Sequence, residues 1–389
     1  MRIVDEQTFQ ARLSALESWL WSAGAVLLQH PLPTLDVLVA RVEELSDAYT
    51  VDRADMAQLA RRGGHLVPRL LYFLCSDAPK VHLVLRELVE RHGDDCLDGR
   101  SMVDLGCGVG ASAAGLLLSI DGPSTAPLRL LGVDLDPAVL PVWTSVARRC
   151  AELADASVEL ATREAGLTEF DTEADTSILL AQAVLNECLV GGVGAEADLV
   201  RRIGRWAARH PCLLLEPALR VATRPLHALR DAVLAGGGVR VLAPCPHQGP
   251  CPMLRNPRDW CHEVRIWPPT PQVALVQTRT RRRDDRLKFS FAALAPSAVA
   301  SVSDGTNEPH SALRARLVSD PLASKGKVER FACTSEGSLR RLRLLDRERT
   351  DGNRALCEPR RGVLVELDGL GDGERVGPQV RVRACPGAP

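Results

Sequence analysis

The sequence predicts an α/β protein built on a doubly wound sheet, preceded by a helical region and carrying a Cys-rich insertion. Three observations predict it. Short apolar runs alternate with helical stretches from residue 98 onwards, the pattern of parallel strands joined by crossover helices. A glycine-rich loop, "VDLGCGVGAS", follows the first of those runs and opens an Ala-rich helix, as a nucleotide-binding turn does. Ahead of residue 98, apolar residues recur at three- and four-residue spacing in "LPTLDVLVARVEEL" and "LVPRLLYFLCSDAPKVHLVLRELVERHG", and Gly93 closes the second stretch, the marks of amphipathic helices.

In order, the expected strands are "SMVDLG", "LRLLGVD", "SVELAT", "TSILLAQ" and "CLLLEP". The helices between them include "AVLPVWTSVARRCAELA", "EADLVRRIGRWAARH" and "RPLHALRDAVLAGG". From 243 to 287 the chain turns rich in Pro, Cys, Trp and Arg and loses periodicity; "LKFSFAALAP" and "GKVERFACT" read as later strands, with the polar loop "SVSDGTNEPHSA" between them. After 336, alternating Arg and Leu give way to a Gly- and Pro-rich end. The expected organisation is a helical region over 1–97, a nucleotide-binding domain over 98–335 with a Cys-rich insertion at 243–287, and a basic C-terminal extension over 336–389. No internal repeat is visible.

At 389 residues, 46% apolar and 25% charged, the composition is that of a soluble globular chain longer than one typical domain. The longest apolar candidate, "WLWSAGAVLL", is about half of the ~20 residues a spanning helix needs. The start "MRIVDEQTFQ" lacks the basic and apolar regions of a signal peptide, so a cytoplasmic location without membrane contact is expected. Most cysteines, among them Cys75, Cys150, Cys188 and Cys212, sit singly in apolar stretches and read as core thiols. The net charge of −1 hides an asymmetry: residues 255–389 hold 25 Lys and Arg against 17 Asp and Glu, a hint of a polyanionic partner.

In the loop, Asp104, Gly106, Gly108 and Gly110 stand where the backbone must turn sharply and admit a ligand. This D-x-G-x-G-x-G spacing resembles the first motif of class I methyltransferases, which bind S-adenosylmethionine on a Rossmann-like sheet. Asp134 ends the second strand, where an acid would take the cofactor's ribose hydroxyls; Asp136 could replace it, although Pro137 after it suggests a helix start. The fourth strand runs into "LAQAVLNECL", similar to the turn after strand four in methyltransferases, and there Gln182, Asn186 and Glu187 could line the pocket, with Glu187 also suited to starting a helix.

The segment "APCPHQGPCPMLRNPRDWCHE" holds Cys245, Cys251 and Cys261 in a Pro-rich, aperiodic stretch. Such thiols in a reducing compartment read as ligands of zinc or of an iron–sulfur cluster. Pro244, Pro246, Pro250 and Pro252 bracket the first two thiols and stiffen the loop. A closed site needs a fourth ligand, from Cys333, His247, His262 or Cys357.

Together "VDLGCGVG", "LNEC", "LLLEP", "APCPHQGPCP", "DWCH", "LKFSFAAL" and "FAC" resemble the methyltransferase-like proteins associated with the small ribosomal subunit, a family with mitochondrial assembly factors and bacterial relatives. The resemblance covers roughly 70–340. It implies a 4Fe-4S cluster on four cysteines, three matching Cys245, Cys251 and Cys261, with Cys333 in "RFACTSEG" at the place of the fourth. It also implies the small subunit and its rRNA as partners. The basic runs "RTRRRDDRLK" at 279–288 and "RRLRLLDRER" at 340–349 suit phosphate backbones.

No general base stands out. The polar-Pro-Pro-aromatic motif of amino-group methylases is missing from "AQAVLNEC", and Cys245, which follows Pro244 as a pyrimidine-carbon methylase nucleophile would, is committed elsewhere if it holds a metal. Two functions follow: an assembly or translation factor of the small subunit on a methyltransferase fold, or an active rRNA methyltransferase. Nothing in the sequence sets the oligomeric state.

Overall fold

The computed structural model describes residues 1–50, 65–97, 100–122, 126–167, 169–171, 176–188, 193–280, 282, 285–299, 312–358, 361–371 and 373–385. The chain forms two compact units, each assembled from three stretches: Met1–Leu85, Asp98–Val184 and Ile266–Leu287 in the first, and Arg86–Leu97, Leu185–Arg265 and Lys288–Pro389 in the second.

The first unit opens on α1 (Glu6–Leu27), which is capped where Asp5 accepts the Thr8 N–H at 2.7 Å, satisfying one otherwise orphaned donor. Helix α2 (Leu35–Thr50) follows, then α3 (Leu74–His92), of which the residues to Leu85 belong here. Its sheet contains β1 (Ser101–Leu105), β2 (Leu128–Asp134), β3 (Val158–Glu164) and β4 (Ile178–Gln182), in the order β3-β2-β1-β4. All pairs are parallel, with Asp104 level with Gly132 on one side and Leu180 on the other. β1 and β4 read as nearly continuous apolar runs because both are buried along their length. Helices α4 (Ala111–Leu117) and α5 (Leu140–Ala154) follow β1 and β2, as a doubly wound sheet requires.

Within 1–97 the described residues are mainly helical, and Arg86–Leu97 belong to the second unit. The expected insertion, however, is divided. Residues 266–287 belong to the first unit, where Glu17 of α1 accepts from the Thr270 hydroxyl at 2.5 Å and from the Gln272 and Val273 N–H groups at 2.9 and 3.0 Å. A carboxylate from a distant helix thus caps α8 (Pro271–Gln277), an arrangement without any local sequence signature.

In the second unit, β5 (Cys212–Pro217) and β6 (Val239–Ala243) flank β8 (Arg286–Pro296), which runs antiparallel to both. Helix α6 (Val193–Ala207) precedes β5, α7 (Arg220–Ala235) joins β5 to β6, and β7 (Glu263–Ile266) carries Glu263. A separate antiparallel sheet combines β9 (Leu313–Leu317), β10 (Leu322–Ser324), β11 (Lys327–Thr334), β12 (Leu339–Leu345), β13 (Leu364–Asp368) and β14 (Arg381–Ala384). Its core is aliphatic, with Leu317, Ala332, Leu342, Leu344, Val365 and Leu367 buried together. The limit expected at 336 therefore falls inside a sheet: β12 pairs with β11, and β13 with β9. The alternating Arg and Leu of β12 is a period-two pattern with one face inward.

The loop "SVSDGTNEPHSA" lies almost wholly outside the described residues, as do 281, 283 and 284 of the basic run at 279–288. Among the described residues no helix is long and apolar enough to cross a membrane.

Candidate functional site

Two sets of predicted residues are described separately, one in each unit. In the first unit the glycine loop leaves β1 at Asp104. This carboxylate is fully buried and accepts from the Ser112 hydroxyl at 2.5 Å and from the Trp143 indole N–H at 2.9 Å. Both oxygens are thus engaged inside the fold, and Asp104 shapes the loop from behind. Burial pushes its carboxyl up to about 6, against the pull of those two hydrogen bonds. Gly106 takes φ +67°, and a Cβ there would sit 2.4 Å from a methyl of Val184, so the loop closes on the turn after β4 only with glycine. At Gly108 a Cβ would meet nothing within 4 Å: here the backbone borders open space.

Asp134 ends β2 and accepts the Gly108 N–H at 2.8 Å and the Asp136 N–H at 3.0 Å. It is partly accessible, so it can hold the loop and meet a ligand hydroxyl. Asp136 instead accepts the Ala138 N–H at 2.9 Å, a helix-start role. Gln182, at the end of β4, donates to the Asp77 carbonyl at 3.0 Å, while its buried Oε1 lacks a hydrogen-bond partner. A buried acceptor left open is costly, and a donor on a bound molecule would relieve it. The next residue, Ala183, takes φ +59°, strain of the kind that persists where function holds it. Gly108, Asp134 and Gln182 therefore suit a polar ligand carrying hydroxyl and amine groups, as S-adenosylmethionine does. Asn186 lies on the short helix Leu185–Cys188 of the second unit, whose first N–H is held by Glu216 at 2.9 Å.

The second unit contains the four predicted cysteines, and three of them share one cluster. Buried Cys251 and Cys333 share an apolar cluster with Met253 and Val318, and half-buried Cys261 packs against it. Burial raises the Cys261 thiol above the usual range first, with the charges of Glu263, Cys251, Cys245 and Cys333 adding to it. Burial likewise raises Cys245 and Cys333 and takes Cys251 to about 11, while Arg230 and Arg316 pull Cys245 and Cys333 the other way. Of the other candidate fourth ligands, His247 places Nε2 3.3 Å from the Cys333 sulfur. His262 stacks on Trp260, and Cys357 packs against the core of the C-terminal sheet.

Among the described residues no group of three or more His, Cys, Asp or Glu side chains is arranged to hold a metal ion. Cys333 enters from β11, outside 243–287. The donor chemistry still fits an iron–sulfur cluster, which takes four thiolates, and the neighbouring arginines offset their charge.

Sequence reading placed helix α7 but missed that it shapes this loop. Arg224 donates to the carbonyls of Met253, Leu254, Asn256 and Asp259 at 2.7–3.3 Å. His227 Nε2 lies 3.2 Å from the Cys261 carbonyl. Arg230, fully buried, donates to the carbonyls of His247 at 3.0 Å and Gly249 at 2.5 Å, and Asp231 accepts the Cys251 N–H at 2.8 Å. Residues 224, 227 and 230/231 recur at three- to four-residue spacing, one face of a helix. That spacing is legible in "RVATRPLHALRD", but polar side chains on a helix ordinarily mark a solvated face.

A second network surrounds Arg316 of β9. Its guanidinium pairs bidentately with Glu87 at 2.6 and 3.0 Å and with Glu263 at 2.9 Å, and Arg265 meets Glu263 at 2.5 Å. Burial alone would raise the Glu263 carboxyl; Arg265 and Arg316 outweigh it and hold it well below the usual range. Gly362 packs so closely that a Cβ would fall 1.9 Å from a Glu263 oxygen.

The basic run 340–349 is largely paired: Arg340 with Glu336, Arg341 with Glu374, Arg343 with Glu329 and Arg349 with Asp346. Arg279 pairs with Asp36, and Arg282 donates to Ser46 and lies over Phe73 at 5.1 Å. These described arginines are paired within the fold.

Comparison with known proteins gives no match among curated proteins. Similar solved structures include a candidate RNA methyltransferase from Pyrococcus horikoshii, with 13% identity, 57% of this chain and 82% of the other covered, and a TM-score of 0.32. A TehB-like S-adenosylmethionine-dependent methyltransferase from Corynebacterium glutamicum shares 12% identity, covering 51% of this chain and 81% of its own, with a TM-score of 0.28. Likenesses this distant carry no functional information. The family described as "Mitochondrial small ribosomal subunit Rsm22" matches residues 80–355. That match spans well over half of the chain, and the chain belongs to this family.

Proposed function

We propose that this chain is an S-adenosylmethionine-binding, methyltransferase-like protein of the small ribosomal subunit that carries a 4Fe-4S cluster and contacts rRNA. The observation that carries the reading is the match to a family described by the small subunit, beside a cluster in which Cys251, Cys261 and Cys333 pack together next to a loop held by α7. Cys245, Cys251, Cys261 and Cys333 would hold the cluster, which supplies a covalent tie between segments far apart in sequence and a redox centre. Zinc, which also takes four thiolates in closed structural sites, is the alternative occupant. Arg230 and Arg316 would offset the thiolate charge, and α7 would fix the loop backbone around it.

For S-adenosylmethionine, Gly106, Gly108 and Gly110 would shape the loop, Asp134 would take ribose hydroxyls, and Gln182 would line the pocket, with Asp104 acting through the loop. The cofactor supplies a methyl group on sulfonium sulfur. No side chain in the described loop is poised as a base, which favours a factor over an enzyme. Incubating the full protein with immature small subunits and methyl-labelled cofactor tests this. Co-sedimentation without label in the RNA is the expected outcome. Stoichiometric label in rRNA would make the chain an active methyltransferase, and absence of co-sedimentation would sink the ribosomal reading.

A further inference from the structure

The second unit contains a cavity of about 300 Å³ beside the cysteine cluster, whose Met253 and Val318 help to line it. One wall is aromatic: the rings of Trp260 and His262 stack with centroids 5.8 Å apart and planes 22° from parallel. Trp260 is fixed in place, since its indole N–H donates to the Ala218 carbonyl at 2.9 Å. Arg224 anchors the backbone at Asp259 just before it, so the wall is ordered before any ligand arrives. Phe331 and Leu339 also line it. Phe331 occupies a half-buried position of β11 between buried Arg330 and Ala332, where an alternating strand usually presents a polar residue. Two cations border the cavity: exposed Arg258, and Arg361, whose Nε donates to the His262 carbonyl at 3.0 Å. Asp259 is the one acid among the lining residues, and its carboxylate already accepts from Asn256 at 3.0 Å.

Flat rings, apolar lining residues and two guanidinium groups are complementary to a planar heterocycle with a phosphate attached. The volume is at the small end of ligand pockets, enough for one ring and its phosphate. A base inside a duplex cannot enter such a cavity, whereas an unstacked base in a loop or bulge can, and aromatic stacking is the usual way proteins hold it. We propose that this cavity takes a single splayed nucleotide of RNA, with its base on the Trp260–His262 wall and its phosphate on Arg258 and Arg361. The proposal rests on the reading that the chain contacts rRNA and adds where, and in which conformation, the RNA is held.

The test uses the full chain and a fluorescein-labelled single-stranded octaribonucleotide of mixed sequence, the same strand annealed to its complement, and AMP and UMP as competitors. The single strand should bind at least tenfold more tightly than the duplex. Trp260→Ala should weaken it roughly five- to hundredfold, the range for losing one stacked base, while Trp260→Phe keeps most of the affinity. Arg258→Glu, an exposed change that leaves packing alone, should weaken it at least tenfold and flatten the salt dependence. Competition by AMP or UMP at concentrations where the octamer saturates would show that the site serves free nucleotides and overturn the RNA assignment. Native affinity in folded Trp260→Ala or in Arg258→Glu, or equal binding of the duplex, would overturn it too. Co-sedimentation of the native chain with small subunits, run in parallel, separates the two claims. Subunit binding with an octamer affinity indifferent to these variants removes the pocket alone, while a variant-sensitive octamer without subunit binding removes the ribosomal reading alone.

Discussion

Arg316 donates to the Pro244 carbonyl at 3.1 Å, which joins the buried ion network directly to the residue before Cys245. The same guanidinium pairs with Glu87 and Glu263, so one side chain on β9 positions the Cys-rich loop and, with Arg265 and Arg91, balances two buried carboxylates. Arginine alone offers the planar fork this needs.

Arg316→Met should therefore be among the most damaging single changes in the second unit. Removing one partner of a buried pair typically costs about 3–5 kcal/mol because the other charge is left unpaired. Urea unfolding should show a loss of that order, with Arg316→Lys recovering only part of it. A loss below about 1 kcal/mol would mean that solvent reaches the network.

Arg224→Ala should loosen the loop without touching a thiol. The four carbonyls that Arg224 holds would exchange them for water, and amide hydrogen exchange across 253–261 should speed up while α7 itself stays protected. Unchanged exchange in that segment would remove α7 from the role assigned to it.

Asp104 gives a pH dependence of definite sign. Its carboxyl is raised to about 6 in the fold, against about 3.9 in an unfolded chain. The folded state thus holds the proton more tightly, and this contribution to stability is complete below about pH 4 and lost as pH rises through 6. Comparing native protein with Asp104→Asn by urea unfolding at pH 4.5 and 7, the native form should lose ground at the higher pH by on the order of 2–3 kcal/mol. A difference that is flat across this window would contradict the burial argument.

Asp134→Ala should weaken S-adenosylmethionine binding roughly ten- to hundredfold, since hydrogen bonds to a charged group contribute about 1.5–3 kcal/mol. Calorimetric titration measures it directly. Undiminished affinity would remove the ribose assignment.

The parallel strands and the glycine loop were legible because their signals are local: apolar runs of strand length, and glycines where the backbone turns. Asp104 itself was visible, but not its role, because its partner Trp143 lies 39 residues away. The face of α7 that holds the loop was hidden for the opposite reason. Arg224, His227 and Arg230 look like solvent-facing residues until the carbonyls they bind are known. The sheet after 336 was obscured by Arg-rich strands whose charges pair across neighbours, as Arg343 does with Glu329. Composition reads such strands as a basic tail, while pairing makes them a sheet.

The most direct measurement is iron and acid-labile sulfide per chain in protein purified without oxygen. About four of each are expected, as befits a cluster on four thiolates, falling away when Cys251 or Cys333 is changed to Ser. A colourless protein holding a single zinc, or no metal while still binding small subunits, would contradict the assignment of Cys245, Cys251, Cys261 and Cys333 to an iron–sulfur cluster.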